Sequence, residues 1–252
     1  MHAIRMMSVF AALLIVGAAP AAAQTKQQLP APAKPYKPVA LTLPQPVGDV
    51  GFEDLRKQVT AAAQKKDRAA LAKLVATKGF FWERDSGDAA DKRKSGADNL
   101  AMALGLAKKD GAGWDMLASF ADDPTGAPSP DHTGAICAPA DPAFNGPEFE
   151  ALLKATQTDV SDWGYPVSAG LDVHAAPQAN APVIDKLALN FVRVMPDAAA
   201  AAPSYLRIVT PAGKIGFVTA DSIAPLGNDQ ICYIKDGTGW KIGGYIGGGD
   251  PQ

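Results

Sequence analysis

From Phe52 onward, apolar residues recur at helical spacing. Phe52, Leu55, Val59 and Ala62 fall on one side of a 3.6-residue repeat. Asp67 then stands as an N-cap before "RAALAKLVA", where Leu71, Leu74 and Val75 share a face. Two short helices, or one bent helix, are expected here. The aromatic cluster "GFFWER" after Gly79 is expected to close a core over them. Ser95 is a further N-cap, ahead of "GADNLAMALGLAKK", and Gly111 and Gly113 separate that segment from "WDMLASFADD". "PEFEALLKAT" adds one more short helix. The stretch between these last two, residues 122–147, is rich in proline and glycine and is expected to be a long irregular loop. Residues 49–164 thus read as an α-rich domain.

Beyond Leu171 the pattern becomes that of short strands separated by turns. "LDVHA", "VIDKLA", "FVRVMP", "YLRIVT", "IGFVTA", "QICYIKD" and "GWKIGGY" are the expected strands. "PAGK" at 211–214 joins two of them as a tight hairpin, and "DGTG" at 236–239 joins the last two, with glycine available where φ is positive. Several short strands so close together suggest a small barrel or sandwich, spanning residues 165–252.

The N-terminus reads as a targeting segment. Residues 1–23 carry one Arg, no acid, and an apolar run from Val9 to Gly17, followed by Ala21, Ala22 and Ala23, the small-residue pattern of a cleaved secretory signal. The run falls short of the roughly 20 residues that span a bilayer. A periplasmic or secreted mature chain is expected, without an integral membrane segment. Residues 24–48 hold Pro30, Pro32, Pro35, Pro38, Pro44 and Pro46 and little apolar periodicity. They read as a semi-rigid extended tether or as a disordered start to the mature chain.

Charge and cysteine content narrow the classes. The formal net charge is −2, and the basic runs Lys65-Lys66 and Lys92-Arg93-Lys94 are short and interrupted by acids, which argues against nucleic acid as a partner. The only two cysteines, Cys137 and Cys232, form a candidate disulfide in an oxidising compartment.

Within the β half, Leu171, Val173, Pro177, Val183, Ile184, Leu187, Val192, Tyr205, Leu206, Val209, Gly213, Gly216, Phe217 and Val218 are spaced as in the bacterial SH3-like (SH3b) domain. The resemblance covers roughly Tyr165 to Leu226. His174 stands where that family often has arginine, Tyr205 and Phe217 where it often has tryptophan, and the loop "PDAAAAAPS" is expanded. The resemblance implies an α+β chain: a mainly α N-terminal domain followed by a small SH3-like β-barrel with an added C-terminal hairpin, Ile231 to Tyr245. Cys232 would pin that hairpin to the helical half. It also implies a non-catalytic module whose partner is an envelope protein or a peptidoglycan peptide. Tyr165, His174, Tyr205 and Phe217 are the candidate ligand-binding residues, lining a shallow groove between the loop at 175–182 and the turn at 210–214.

Catalytic chemistry has weaker support. Cys137 as a nucleophile would need His132 or His174 as its base. Asp131, His132 and Cys137 are too few and too irregularly spaced for a zinc site. Glu83 and Asp85 lie too close in sequence to specify a glycosidase pair. "GGYIGGGD" lacks the lysine and helix of a phosphate loop and reads as a tail. No metal and no cofactor are expected. A non-catalytic envelope binding or scaffold protein is therefore the first reading. A cell-wall hydrolase or its regulator, with an active site in the helical domain, is the alternative.

Overall fold

The computed structural model describes residues 33–195 and 204–247. The expected targeting segment 1–23, the start of the proline-rich stretch, most of the expanded loop and the residues after Gly247 lie outside them. In chain order the elements are β1 (Leu41–Thr42), α1 (Val50–Gln64), α2 (Arg68–Leu74), β2 (Phe81–Arg84), β3 (Gly87–Asp88), α3 (Gly96–Ala103) and α4 (Ala112–Asp122). Next come β4 (Ala127–Pro128), β5 (Ala135–Ala138), β6 (Ala143–Phe144), α5 (Gly146–Thr156) and β7 (Trp163–Pro166). The chain continues through β8 (Leu171–His174), β9 (Val183–Leu187), β10 (Val192–Met195), β11 (Tyr205–Val209), β12 (Ile215–Thr219) and β13 (Ile223–Pro225). It ends with β14 (Gln230–Asp236) and β15 (Gly239–Ile246).

Local chemistry starts the helices. The Asp49 carboxylate accepts from Phe52 N–H, Asp67 from Ala70 N–H, Ser95 Oγ from Asp98 N–H and Asn145 from Glu148 N–H. Each satisfies one of the donors that a helix N-terminus leaves unpaired. The apolar stripe of α1, Phe52, Leu55, Val59 and Ala62, is buried as its spacing predicts. It meets Leu100 of α3, Leu117 of α4, and Tyr233, Ile242 and Tyr245 of the last hairpin in one core.

Helices α1 to α4 pack on a six-stranded sheet whose order is β3, β2, β15, β14, β5, β4. Its centre is the antiparallel hairpin β14–β15. On one edge β2 joins β15 in parallel, with Phe81 opposite Gly244; on the other β5 joins β14, with Cys137 opposite Cys232. Those two cysteines are disulfide-bonded, with Cα atoms 3.9 Å apart. On the sheet face away from the helices, the Phe81 ring lies over Gly244, where a Cβ would sit 2.4 Å from ring carbons. The hairpin also holds the first helix: Asp49 accepts from Trp240 Nε1 at 3.1 Å and from Lys235 Nζ at 3.2 Å. These bonds draw the Asp49 carboxyl below the usual carboxylate range, its bond from Phe52 N–H first among them.

A seven-stranded sheet has the order β13, β7, β10, β11, β12, β8, β9. One face buries Val173, Leu187, Val192, Ile208, Val218 and Ile223. β1 and β6 form a two-stranded sheet beside it.

This architecture corrects the expected fold. Residues 49–164 are not a separate mainly α domain, because β2 and β5 complete the sheet built on the last hairpin. Nor is there a small SH3-like barrel: the body is mostly β, with five helices and three sheets among the described residues, none closed. A barrel closes only when its edge strands exchange backbone hydrogen bonds. Here edge strand β9 pairs with β8 alone and edge strand β13 with β7 alone. Outside its sheet partner, β9 receives a side chain, Lys214 Nζ donating to the Ile184 carbonyl at 3.0 Å. The stretch 122–147 is likewise not wholly irregular, since it supplies β4, β5 and β6.

The described part of the proline-rich segment is packed. Ala33 N–H donates to Gly213 O at 2.9 Å and Tyr36 N–H to Pro211 O at 3.0 Å. Val39 and Leu41 are buried with Phe149, Leu152, Trp163, Tyr165 and Phe191. The Tyr36 ring meets Trp163 edge-on at 5.0 Å, and its hydroxyl donates to Val209 O at 2.9 Å. Gly213 permits this docking, with φ at +78° and space so tight that a Cβ would lie 2.3 Å from the Ala33 carbonyl oxygen.

Two stability outcomes follow from these contacts. Gly213→Ala is expected to cost at least about 1 to 2 kcal/mol, the penalty of left-handed backbone for an L side chain. Hydrogen exchange should accelerate at residues 33–43; unchanged exchange there would show that the turn does not hold the segment. Replacing Cys137 and Cys232 by Ala releases a loop with a sequence separation of 95. In the chain-entropy account this removes about 4 to 5 kcal/mol, read by urea denaturation.

Candidate functional site

Away from its buried face, the seven-stranded sheet presents a second set of alternating side chains. Strand pairs set Met195 opposite Arg207, Arg207 opposite Phe217, and Phe217 opposite His174. Directly opposed residues of antiparallel strands share a face, so these four side chains form a row across β10, β11, β12 and β8. Tyr205, two residues before Arg207, stands on the same face. All five are half-buried. The neighbouring row, where Arg193 opposes Val209 and Val209 opposes Ile215, lies beside the strand of Trp163 and the docked Tyr36.

Two features give the row polarity. Arg207 Nε is buried and has no hydrogen-bond partner, and among the described residues no carboxylate pairs with Arg207 or Arg193. His174 Nδ1 is 3.0 Å from the Ala181 carbonyl oxygen. A carbonyl only accepts, so Nδ1 carries the hydrogen and the lone pair of the neutral ring is on Nε2. At one end, Asp172 is already paired with Lys186. The row therefore offers aromatic contact area around a cation that has no counter-charge among the described residues, which suits an anionic group on a partner.

His174, Tyr205 and Phe217 are thus brought onto one face, while Tyr165 is not with them. Tyr165 is buried in the aromatic core, its ring edge-on to Phe191 at 6.5 Å. The turn at 211–214, one expected rim of a groove, is occupied by the chain's own Ala33 and Tyr36. Arg207 and Met195 were not singled out in the sequence. An arginine at period two from Tyr205 in a strand that otherwise reads "YLRIV" was the available signal.

The residues weighed for catalysis are distributed differently. Cys137 is disulfide-bonded, which removes it as a thiolate nucleophile. His132 stacks on Phe81 with ring centroids 3.5 Å apart, and its Nε2 is 2.6 Å from Glu83 Oε2. This pair fastens the 129–134 loop over the small cluster of Phe81, Ala135 and the disulfide. Beside it opens a cleft of about 470 Å³ whose walls include Lys78, Asp88, Asp91, Lys92, Asn99 and His132. Both of its acids are paired: Asp88 with Lys92, and Asp91 with the neighbouring Arg93, whose guanidinium holds the Asp91 carboxyl down at about 2. Asp85 and Asp131 are exposed. Among the described residues no three His, Cys, Asp or Glu side chains gather as a metal site. The described helices include none long and apolar enough to cross a membrane.

No family model matches the chain, and neither the curated proteins nor the solved structures contain a match to it.

Burial also sets an alkaline limit. Tyr165 is pushed up to about 12 by desolvation, with the nearby charges of Asp141 and Asp123 adding to it. Burial likewise raises Tyr36, Tyr233 and Tyr245, the last also donating to the Asp229 carboxylate. The folded state keeps these protons where the unfolded chain releases them, from about pH 10 upward. Stability from this source is therefore complete below pH 10 and falls as pH rises toward 12. Phenolate absorbance should show these four of the five tyrosines ionising together with unfolding, and their independent titration in a folded protein would contradict the burial argument.

Proposed function

We propose that this protein is a non-catalytic binding or scaffold protein of the cell envelope, exported to the periplasm or beyond. Its recognition surface is the row Met195, Arg207, Phe217 and His174 with Tyr205. The partner is a peptide segment, of an envelope protein or of the cell wall, that presents a carboxylate to Arg207.

The observation that carries this reading is the half-buried aromatic row around Arg207, whose enclosed Nε has no partner among the described residues. Leaving a buried donor unpaired costs about 1 to 3 kcal/mol, which a partner's acceptor recovers. Aromatic residues and arginine are also the side chains that most often carry binding energy at interfaces. The buried disulfide and the basic N-terminal segment with its apolar run and small-residue end support export. Disulfide bonding of Cys137 supports a role without thiol catalysis.

Retention on purified peptidoglycan and on immobilised envelope proteins tests the proposal. Tyr205→Ala with Phe217→Ala, and separately Arg207→Ala, are expected to lower affinity at least about tenfold in proteins whose circular dichroism is unchanged. Retention unaffected by either variant would overturn the assignment to this face.

A further inference from the structure

A second surface lies on the helical side. Between α2, α3 and the turn after α3 runs an open groove of about 580 Å³, lined by Ala101, Met102 and Ala107 and by the cations Arg68, Lys94 and Lys108. That volume is in the range of small-molecule sites. The three cations come from separate segments: Arg68 opens α2, Lys94 precedes α3 and Lys108 follows it. In the sequence each sits in a short mixed-charge stretch; the fold alone brings them to one groove. Among the described residues none of the three forms an ion pair, although Lys94 is near enough to Asp91 to help lower its carboxyl. Lys94 Nζ lies 2.9 Å from Met102 Sδ, a weak acceptor in the groove lining. The lining acid, Asp98, already accepts from Ser95 Oγ at 2.7 Å.

The backbone of this groove offers a ligand little. The carbonyls that end α3 are taken by the following turn: Leu100 O by Leu104 N–H at 3.0 Å, Ala101 O by Leu106 N–H at 2.9 Å and Met102 O by Gly105 N–H at 3.2 Å. Gly105 O accepts from Lys108 N–H at 3.0 Å. A peptide laid there would find no run of free backbone acceptors to pair with, whereas a hydrocarbon chain needs none. The surrounding cations demand one anionic end. Their field is local, in a protein whose formal net charge is −2.

From this geometry we infer that the groove binds a single-chain aliphatic carboxylate, a fatty acid, with its chain along Ala101, Met102 and Ala107 and its carboxylate among Arg68, Lys94 and Lys108. The inference is independent of the peptide-binding row on the seven-stranded sheet.

Calorimetric titration of the full chain with sodium laurate, below micelle formation, tests it. One saturable site is expected. Arg68→Gln with Lys108→Gln should weaken it about tenfold, and Met102→Asp, which puts an acid in the lining, should abolish it. Dodecyl maltoside, an uncharged amphiphile with the same alkyl chain, should bind at least about tenfold more weakly than laurate. All three substituted positions are exposed or half-buried, and circular dichroism with thermal melting confirms that the variants fold. The inference is overturned if laurate gives no saturable heat, or if the folded variants bind it as the wild type does. Equal binding of dodecyl maltoside overturns it as well, since charge would then play no part. Tighter binding of an acidic amphipathic peptide, or association only with phosphatidylglycerol vesicles, would also overturn it by making the groove a protein or membrane surface.

Discussion

A β-hairpin has two open edges, and in β14–β15 both are closed by strands from far earlier in the chain. Unpaired backbone groups along a sheet edge must find partners or water, and an isolated hairpin is barely stable. Strand β2 satisfies one edge and β5 the other. Once those pairings form, much else is constrained. The helices between them have a sheet face to cover, the cysteines stand opposite each other, and Phe81 comes to rest over Gly244, where no side chain intervenes. The Asp49 bonds to Trp240 and Lys235 extend the same dependence to the first helix.

The seven-stranded sheet meets a related problem with different means. Its inner face is apolar and buried, but its outer face is too large to leave open. The proline-rich segment covers part of it through Tyr36, Val39 and Leu41, using backbone groups of the 211–214 turn and side chains of the aromatic core. Proline suits this role because an extended segment with few donors can lie on a surface without completing a ladder. The remainder of that face is where Arg207 and its neighbours stand, so the packing of one segment defines the extent of the proposed recognition surface.

Charge is distributed by the same logic. Most ion pairs among the described residues are exposed and contribute little to stability individually. More informative are the cations that have no ion pair among the described residues, Arg207 on one sheet and Arg68, Lys94 and Lys108 around the helical groove.

Helix caps and strand periodicity are written locally, and the sequence by itself determined them. Asp67 and Ser95 cap helices, Phe52 to Ala62 line a buried stripe, and all seven expected strands of the C-terminal half have counterparts. The two cysteines already pointed to each other. What the local pattern could not contain was partnership. "GFFWER" and "GAICA" read as an aromatic cluster and a loop because their sheet partners lie far along the chain, in β15 and β14. His132 and Glu83, considered apart, belong to one contact across 49 residues. Tyr165 and Tyr205 look alike in sequence, yet one is sealed in a core and the other flanks an arginine. Periodicity states which side of an element turns inward; only tertiary structure decides what it turns toward, because pairing of edges and covering of faces are settled by residues that are not neighbours in the chain.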